Sequence, residues 1–217
     1  MRLCFLVILF LSLNANAITI RGQFSLLIDN AAIIPIENNG DKHALVGVSI
    51  VEIASPETGK VIEMQGGELL FTPSKQIIRK KSKGNFKFSF QGGLGDKERY
   101  FRVVFTELSV DRLTRKETVP DKKSSDVSAS VGVGYVLILP PKIPRQQYLL
   151  NRKGITNVGN LTLLARAYGK NEKGDDISFV MPLSPAKTIS LKKFGLKDDI
   201  LGSVEGIKKE SFTLLAE

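Results

Sequence analysis

Few residues in this chain could carry out covalent or metal chemistry. Cys4 is the only cysteine and His43 the only histidine in 217 residues. An active site needs a nucleophile beside a base, a pair of carboxylates with different proton affinities, or a set of metal ligands. His43 follows the turn-forming run Asn39-Gly-Asp-Lys42, the setting of a solvated loop residue. No His-x-His or His-Glu-x-x-His spacing occurs. Gly92-Gly93-Leu94-Gly95 lacks the Lys-Ser/Thr that would make it a phosphate loop. Asp175-Asp176 and Asp198-Asp199 read as turn acids, and Asn160-Leu161-Thr162 as a chance glycosylation triplet. The expectation is a binding or scaffolding protein: not an enzyme, with no cofactor and no metal.

The amino terminus points to export. Met1-Arg2 precedes an apolar run from Leu3 to Leu13, which ends in Asn14-Ala-Asn-Ala17. A basic start, a short apolar core and a small-x-small ending make a secretory signal peptide. The run is shorter than the roughly 20 apolar residues that span a bilayer, so no stable membrane anchor is expected. Cleavage after Ala17 removes Cys4 and leaves 217 − 17 = 200 residues starting at Ile18. An exported chain with no disulfide must rely on its apolar core.

The formal net charge is +9, or +8 without Arg2. No zinc spacing or aromatic-basic RNA motif accompanies it, so nucleic acid is not an expected partner. A basic surface suits an acidic partner protein or an anionic membrane face.

The elements that would hold any binding residues read as strands. Phe86, Phe88 and Phe90 alternate with Lys87 and Ser89, a period of two with one aromatic face. Other runs are Phe24–Ile28, Ala31–Ile36, Leu45–Ile53, Leu69–Thr72 and Arg99–Val110, then a polar stretch from Asp111 to Asp126 that reads as an exposed loop. The longest candidate is Val127 to Leu139. Val127, Ala129, Val131, Val133, Tyr135, Leu137 and Leu139 form one apolar face, while Ser128, Ser130, Gly132 and Gly134 leave the other bare. Pro140, Pro141 and Pro144 then form a stiff connector. Further short runs lie near Gln146–Leu150, Ile155–Thr156, Leu161–Tyr168, Ile177–Met181, Lys187–Leu191 and Phe212–Leu215. No stretch sustains a helical period. The pattern predicts an all-β chain of two β-sandwiches, residues 18–141 and 142–217, behind a signal peptide at 1–17. Thr72-Pro73-Ser74 and Leu183-Ser184-Pro185 echo each other and are expected at equivalent corners.

Several of these segments carry a resemblance. Asp96-Lys-Glu-Arg-Tyr-Phe-Arg-Val-Val-Phe-Thr-Glu107 resembles the penultimate-strand signature of periplasmic pilus assembly chaperones. Leu70-Phe-Thr-Pro-Ser74, the glycine-bearing strand ending at Pro140, Asn157-Val-Gly-Asn-Leu-Thr-Leu163 and Met181-Pro-Leu-Ser-Pro185 resemble the same family. The likeness is greatest to its alternate and common-pilus types.

That resemblance implies two immunoglobulin-like domains in an L-shaped arrangement, located in the periplasm. It implies that pilus subunits and an outer-membrane usher are the partners. The chaperone lends the last strand of its first domain to a subunit that lacks its own, by β-strand addition. On this reading Val127, Ala129, Val131, Val133 and Tyr135 enter the subunit groove. Family members also hold the subunit's terminal carboxylate with basic residues on the first and last strands. Here Tyr135 stands at the last-strand position, where its hydroxyl is a candidate anchor by hydrogen bond, and Arg21, Arg102 and Arg166 are the cationic candidates. Glu98 matches an acidic residue of an interdomain salt bridge, but Leu139 stands where its basic partner would be, so that bridge is expected to be absent or rebuilt. The alternatives are a pilus structural subunit and a periplasmic ligand-binding β-protein.

Overall fold

In a computed structural model of the chain, residues 18–64, 67–108, 132–151, 153–196 and 199–214 are described. The leader at 1–17, the polar stretch 111–126, and Val127, Ala129 and Val131 lie outside them.

The chain forms two compact units: residues up to Gln91 with Phe101–Leu137, and Gly92–Tyr100 with Ile138 onward. The start of the eighth strand and the end of the ninth therefore group with the second unit. The described residues are built of strands, with one 3₁₀ turn at Leu191–Phe194.

The first unit contains β1 (Ile18–Ile20), β2 (Phe24–Leu26), β3 (Ala31–Asn38), β4 (Ala44–Ile53), β5 (Glu68–Thr72), β6 (Lys75–Ile78), β7 (Ser82–Gln91), and most of β8 (Arg99–Leu108) and β9 (Gly132–Leu139). One sheet has the order β1-β3-β7-β5 and the other β2-β9-β8-β4-β6. Alternation dictates the core between them. Phe86, Phe88 and Phe90 point inward from β7, and Phe101, Val103 and Phe105 meet them from β8, each no more than 3% exposed. The Phe86 and Phe105 rings meet edge-on, with centroids 5.2 Å apart, a favoured aromatic geometry. Pro35 is tolerated inside β3 because β1 pairs only with Ile36–Asn38 and ends before reaching it. A proline has no N–H to offer a neighbouring strand.

The second unit contains β10 (Tyr148–Asn151), β11 (Gly154–Asn157), β12 (Leu163–Lys170), β13 (Asp176–Leu183), β14 (Thr188–Ser190), β15 (Ile200–Glu205) and β16 (Lys209–Leu214). Its sheets run β10-β11-β14 and β13-β12-β15-β16. The core gathers Ile155, Leu163, Ala165, Phe179, Leu183 and Val204, with Phe179 stacked on Phe194 at 4.2 Å.

The expected all-β class is observed, and three strands were not anticipated: β1, β6 and β15. Lys75-Gln-Ile-Ile78 is short and half polar, and β15 carries Gly202 and Ser203 in its middle. The internal echo falls at equivalent corners. After Thr72 the chain leaves one sheet for the other at β6, and after Leu183 it does the same at β14.

Candidate functional site

The last strand of the first unit has two unlike faces. Tyr135, Leu137 and Leu139 are buried at 7%, 0% and 1% exposure. Val133, on the same face two residues earlier, is only half-buried, and Gly132 and Gly134 on the other face are exposed. A β-carbon at Gly134 would meet no atom within 4 Å. The apolar face is thus buried at the carboxyl end and opens at Val133. Tyr135, expected to enter a partner's groove, has its ring in its own sandwich and its hydroxyl hydrogen-bonded to Ser25. Burial raises that hydroxyl above its ordinary proton affinity, with the Ser25 bond opposing.

The first strand comes to the last through a bend. β1 pairs with β3, and the chain then crosses to the other sheet, where β2 lies beside β9. Gly22 makes this turn at φ +81°, a conformation that favours glycine. The Val136 N–H donates to the Gln23 carbonyl at 3.0 Å. A β-carbon at Gly22 would stand 3.9 Å from the Tyr135 hydroxyl oxygen. The crossing therefore brings Arg21 into the neighbourhood of Tyr135, the two strands that carry anchors in the family resemblance.

Arg21 is not isolated. Its Nε lies 2.9 Å from Glu37, and Lys83 lies 2.8 Å from the same oxygen. The Lys83 hydrogen bond, aided by the charge of Arg21, holds the Glu37 carboxyl below the usual carboxylate range, against some opposition from burial. Two cations share one acid. The Arg21 side chain is 77% exposed, so it can still meet an incoming anion.

The other cationic candidates have different surroundings. Arg102 on β8 donates to the Gly59 carbonyl. Arg166 on β12 pairs with Glu205 at 3.2 Å and belongs to the second unit.

Glu98 is rebuilt rather than salt-bridged to the ninth strand. Leu139 is buried and apolar. Glu98 instead accepts hydrogen bonds from the Thr162 N–H at 2.7 Å, the Thr162 hydroxyl at 2.6 Å and the Tyr100 hydroxyl. All three residues lie in the second unit. The sequon is likewise structural. Asn160 Oδ1 accepts from the Arg145 N–H, and its Nδ2 donates to the Ile143 carbonyl.

Among the described residues, no three or more His, Cys, Asp or Glu gather as metal ligands. His43 Nδ1 accepts a hydrogen bond from the Lys80 N–H in an exposed turn. No helix among the described residues is long and apolar enough to cross a membrane. What this geometry offers is an opening strand face beside an exposed guanidinium, suited to holding a polypeptide.

No family model matches the chain. By sequence it is similar to the probable fimbrial chaperone EcpB of Klebsiella pneumoniae, 29% identical over 143 residues, which are 65% of this chain and 63% of that protein. It is also 29% identical to EcpB of Escherichia coli K12 over 136 residues, 62% of this chain and 60% of that one. The match thus spans less than two thirds of these relatives. Among solved structures, the class 5 fimbriae chaperone CfaA shares the fold at TM-score 0.52 and 17% identity, covering 93% of this chain and 99% of that one. The E. coli chaperone DraB does so at TM-score 0.54 and 11% identity, covering 93% and 97%. The Salmonella enterica SafA pilin–SafB chaperone complex contains a chain alike at TM-score 0.54 and 15% identity, covering 92% and 96%. Each unit is accordingly an immunoglobulin-like sandwich. By sequence this chain is similar to proteins named as probable fimbrial chaperones, and by fold it is similar to solved fimbrial chaperones.

Proposed function

We propose that the protein is a periplasmic chaperone that binds pilus subunits by donor-strand complementation and delivers them to an outer-membrane usher. The observation that carries this reading is the change along β9. Its apolar face is sealed at Tyr135, Leu137 and Leu139 and opens at Val133, with bare glycines on the reverse. In the sequence the same period runs back through Val131, Ala129 and Val127. In β-strand addition the N–H and C=O groups of a lent strand pair with a subunit that lacks its own strand, and alternate side chains fill its pockets. Tyr135 stays in the home core, and the donor face starts at Val133. Arg21, exposed near Tyr135, is the anchor for a subunit's terminal carboxylate by a charge-assisted bond. The likeness to EcpB supports this reading, and the leader at residues 1–17 fits export. No covalent bond is made or broken in this role.

The test is coexpression with a pilin encoded beside the gene. The pilin is expected to accumulate, and to copurify, only when this protein is present. Equal degradation of the pilin with and without it refutes the reading.

A further inference from the structure

The basic surplus of the chain has a focus of which strand donation uses Arg21 alone. Asn38, at the end of β3, is 3% exposed. Its Nδ2 donates to the carbonyls of Lys42 at 2.8 Å, Ile78 at 3.1 Å and Arg79 at 3.3 Å. Its Oδ1 accepts from the Gly40 N–H at 2.9 Å. One buried amide therefore ties the β3–β4 turn to the β6–β7 turn. The Lys80 N–H donates to His43, and Lys81 pairs with Asp41 at 3.2 Å and donates to the Asn39 carbonyl. The joined turns expose Lys42, Arg79, Lys80, Lys81 and Lys83, with Arg21 alongside through Glu37. Six cations stand against Glu37 and Asp41, a local surplus of 6 − 2 = +4. Ile77, two residues before Arg79 on the edge strand β6, is 60% exposed.

We propose that this platform docks the protein onto an anionic bilayer surface. Four of the six cations are lysines, hydrated point charges on flexible stems. They suit phosphates in a fluid plane better than they suit the fixed fork geometry by which arginine recognises carboxylates. The charges are spread over two turns whose backbones are held by Asn38, and the exposed Ile77 is an apolar side chain able to enter the headgroup layer. This surface attachment needs no membrane-spanning segment, and of its six cations only Arg21 is shared with the proposed subunit anchor.

The test is cosedimentation of the soluble protein, expressed from the full chain, with vesicles of phosphatidylcholine alone or with 30% phosphatidylglycerol, where the vesicle composition is about that of a moderately anionic surface. Binding is expected only to the anionic vesicles, and it should fall as salt shortens the screening length from about 10 Å at 0.1 M. The variant Lys42→Gln/Arg79→Gln/Lys80→Gln keeps every backbone bond of the platform. It should bind on the order of 100-fold more weakly, at about fivefold for each cation. Lys187→Gln/Lys192→Gln/Lys193→Gln removes the same charge from the second unit and should bind as the parent does. Equal loss in both triple variants, or no preference for anionic vesicles, overturns the proposal. Tighter binding to a polyglutamate peptide than to the vesicles also overturns it, in favour of an acidic protein partner. Unchanged unfolding midpoints verify that both variants fold.

Discussion

Glu98 grips Thr162 twice, accepting from its backbone N–H at 2.7 Å and from its hydroxyl at 2.6 Å. Thr162 is 1% exposed, so neither donor has water as a substitute. The pair ties the segment that leads into β8 to the start of β12. Glu98→Ala should lower stability by about 1–3 kcal/mol, the cost of stranding buried donors. Urea denaturation measures this. In a Thr162→Val background the same change should cost less, because the hydroxyl no longer waits for an acceptor. Additive losses would show that the two residues do not couple.

Tyr135 contributes to the alkaline dependence of stability through its buried hydroxyl. Burial raises its proton affinity above the ordinary value of 10.0, with the Ser25 bond working the other way. A raised folded value means that the contribution is complete below pH 10 and is lost as pH rises through that value. Unfolding free energy should therefore decline above about pH 10, and Tyr135→Phe should make the decline shallower. Part of it will remain, since Tyr148 is also raised, by burial first and then by Glu210. An identical slope in parent and variant would contradict this account.

Glu37 behaves in the opposite sense. Its carboxyl is lowered chiefly by the Lys83 hydrogen bond, with Arg21 adding charge. What the cluster contributes to stability is present above the unfolded carboxylate range and disappears as pH falls through the lowered folded value. A carboxyl-detected NMR titration should show the Glu37 midpoint rising more in Lys83→Ala than in Arg21→Ala. The reverse order would make Arg21 the principal partner.

Much of the sandwich was legible because a period of two is legible. Phe86, Phe88 and Phe90 announced their strand and its inward face, and all three are buried. Periodicity groups side chains by face but does not say where along a strand the home core ends. Hence Val133 and Tyr135 read alike, although one is half-buried and the other fills the core. Where Arg21 stands relative to Tyr135 depends on the bend at Gly22, where the chain changes sheets, and no period in the sequence reports that bend. Asn38 and Asn157 were hidden differently. Asparagine two residues before a glycine reads as a turn, yet both are buried, and each donates Nδ2 to the carbonyl four residues ahead and accepts at Oδ1 from the N–H of that glycine. Distant carbonyls, Ile78 for one and Leu183 for the other, complete the pair. No short-range pattern reveals those partners.

The two faces of β9 give the most direct test of strand donation. Val133→Asp puts a charge on the face that is proposed to enter a subunit, where an unpaired carboxylate is costly to bury. Val133 is only half-buried at home, so the variant should keep its fold and lose the subunit. Gly134→Val changes the reverse face, where a β-carbon meets nothing within 4 Å. Glycine inside a strand costs roughly 0.5–1 kcal/mol relative to alanine, so this variant should be at least as stable as the parent and should retain the pilin. Copurification with the pilin, alongside a denaturation midpoint for each variant, separates the outcomes. Pilin retained by a folded Val133→Asp, or lost from a folded Gly134→Val, would mean that this face of β9 is not the one lent.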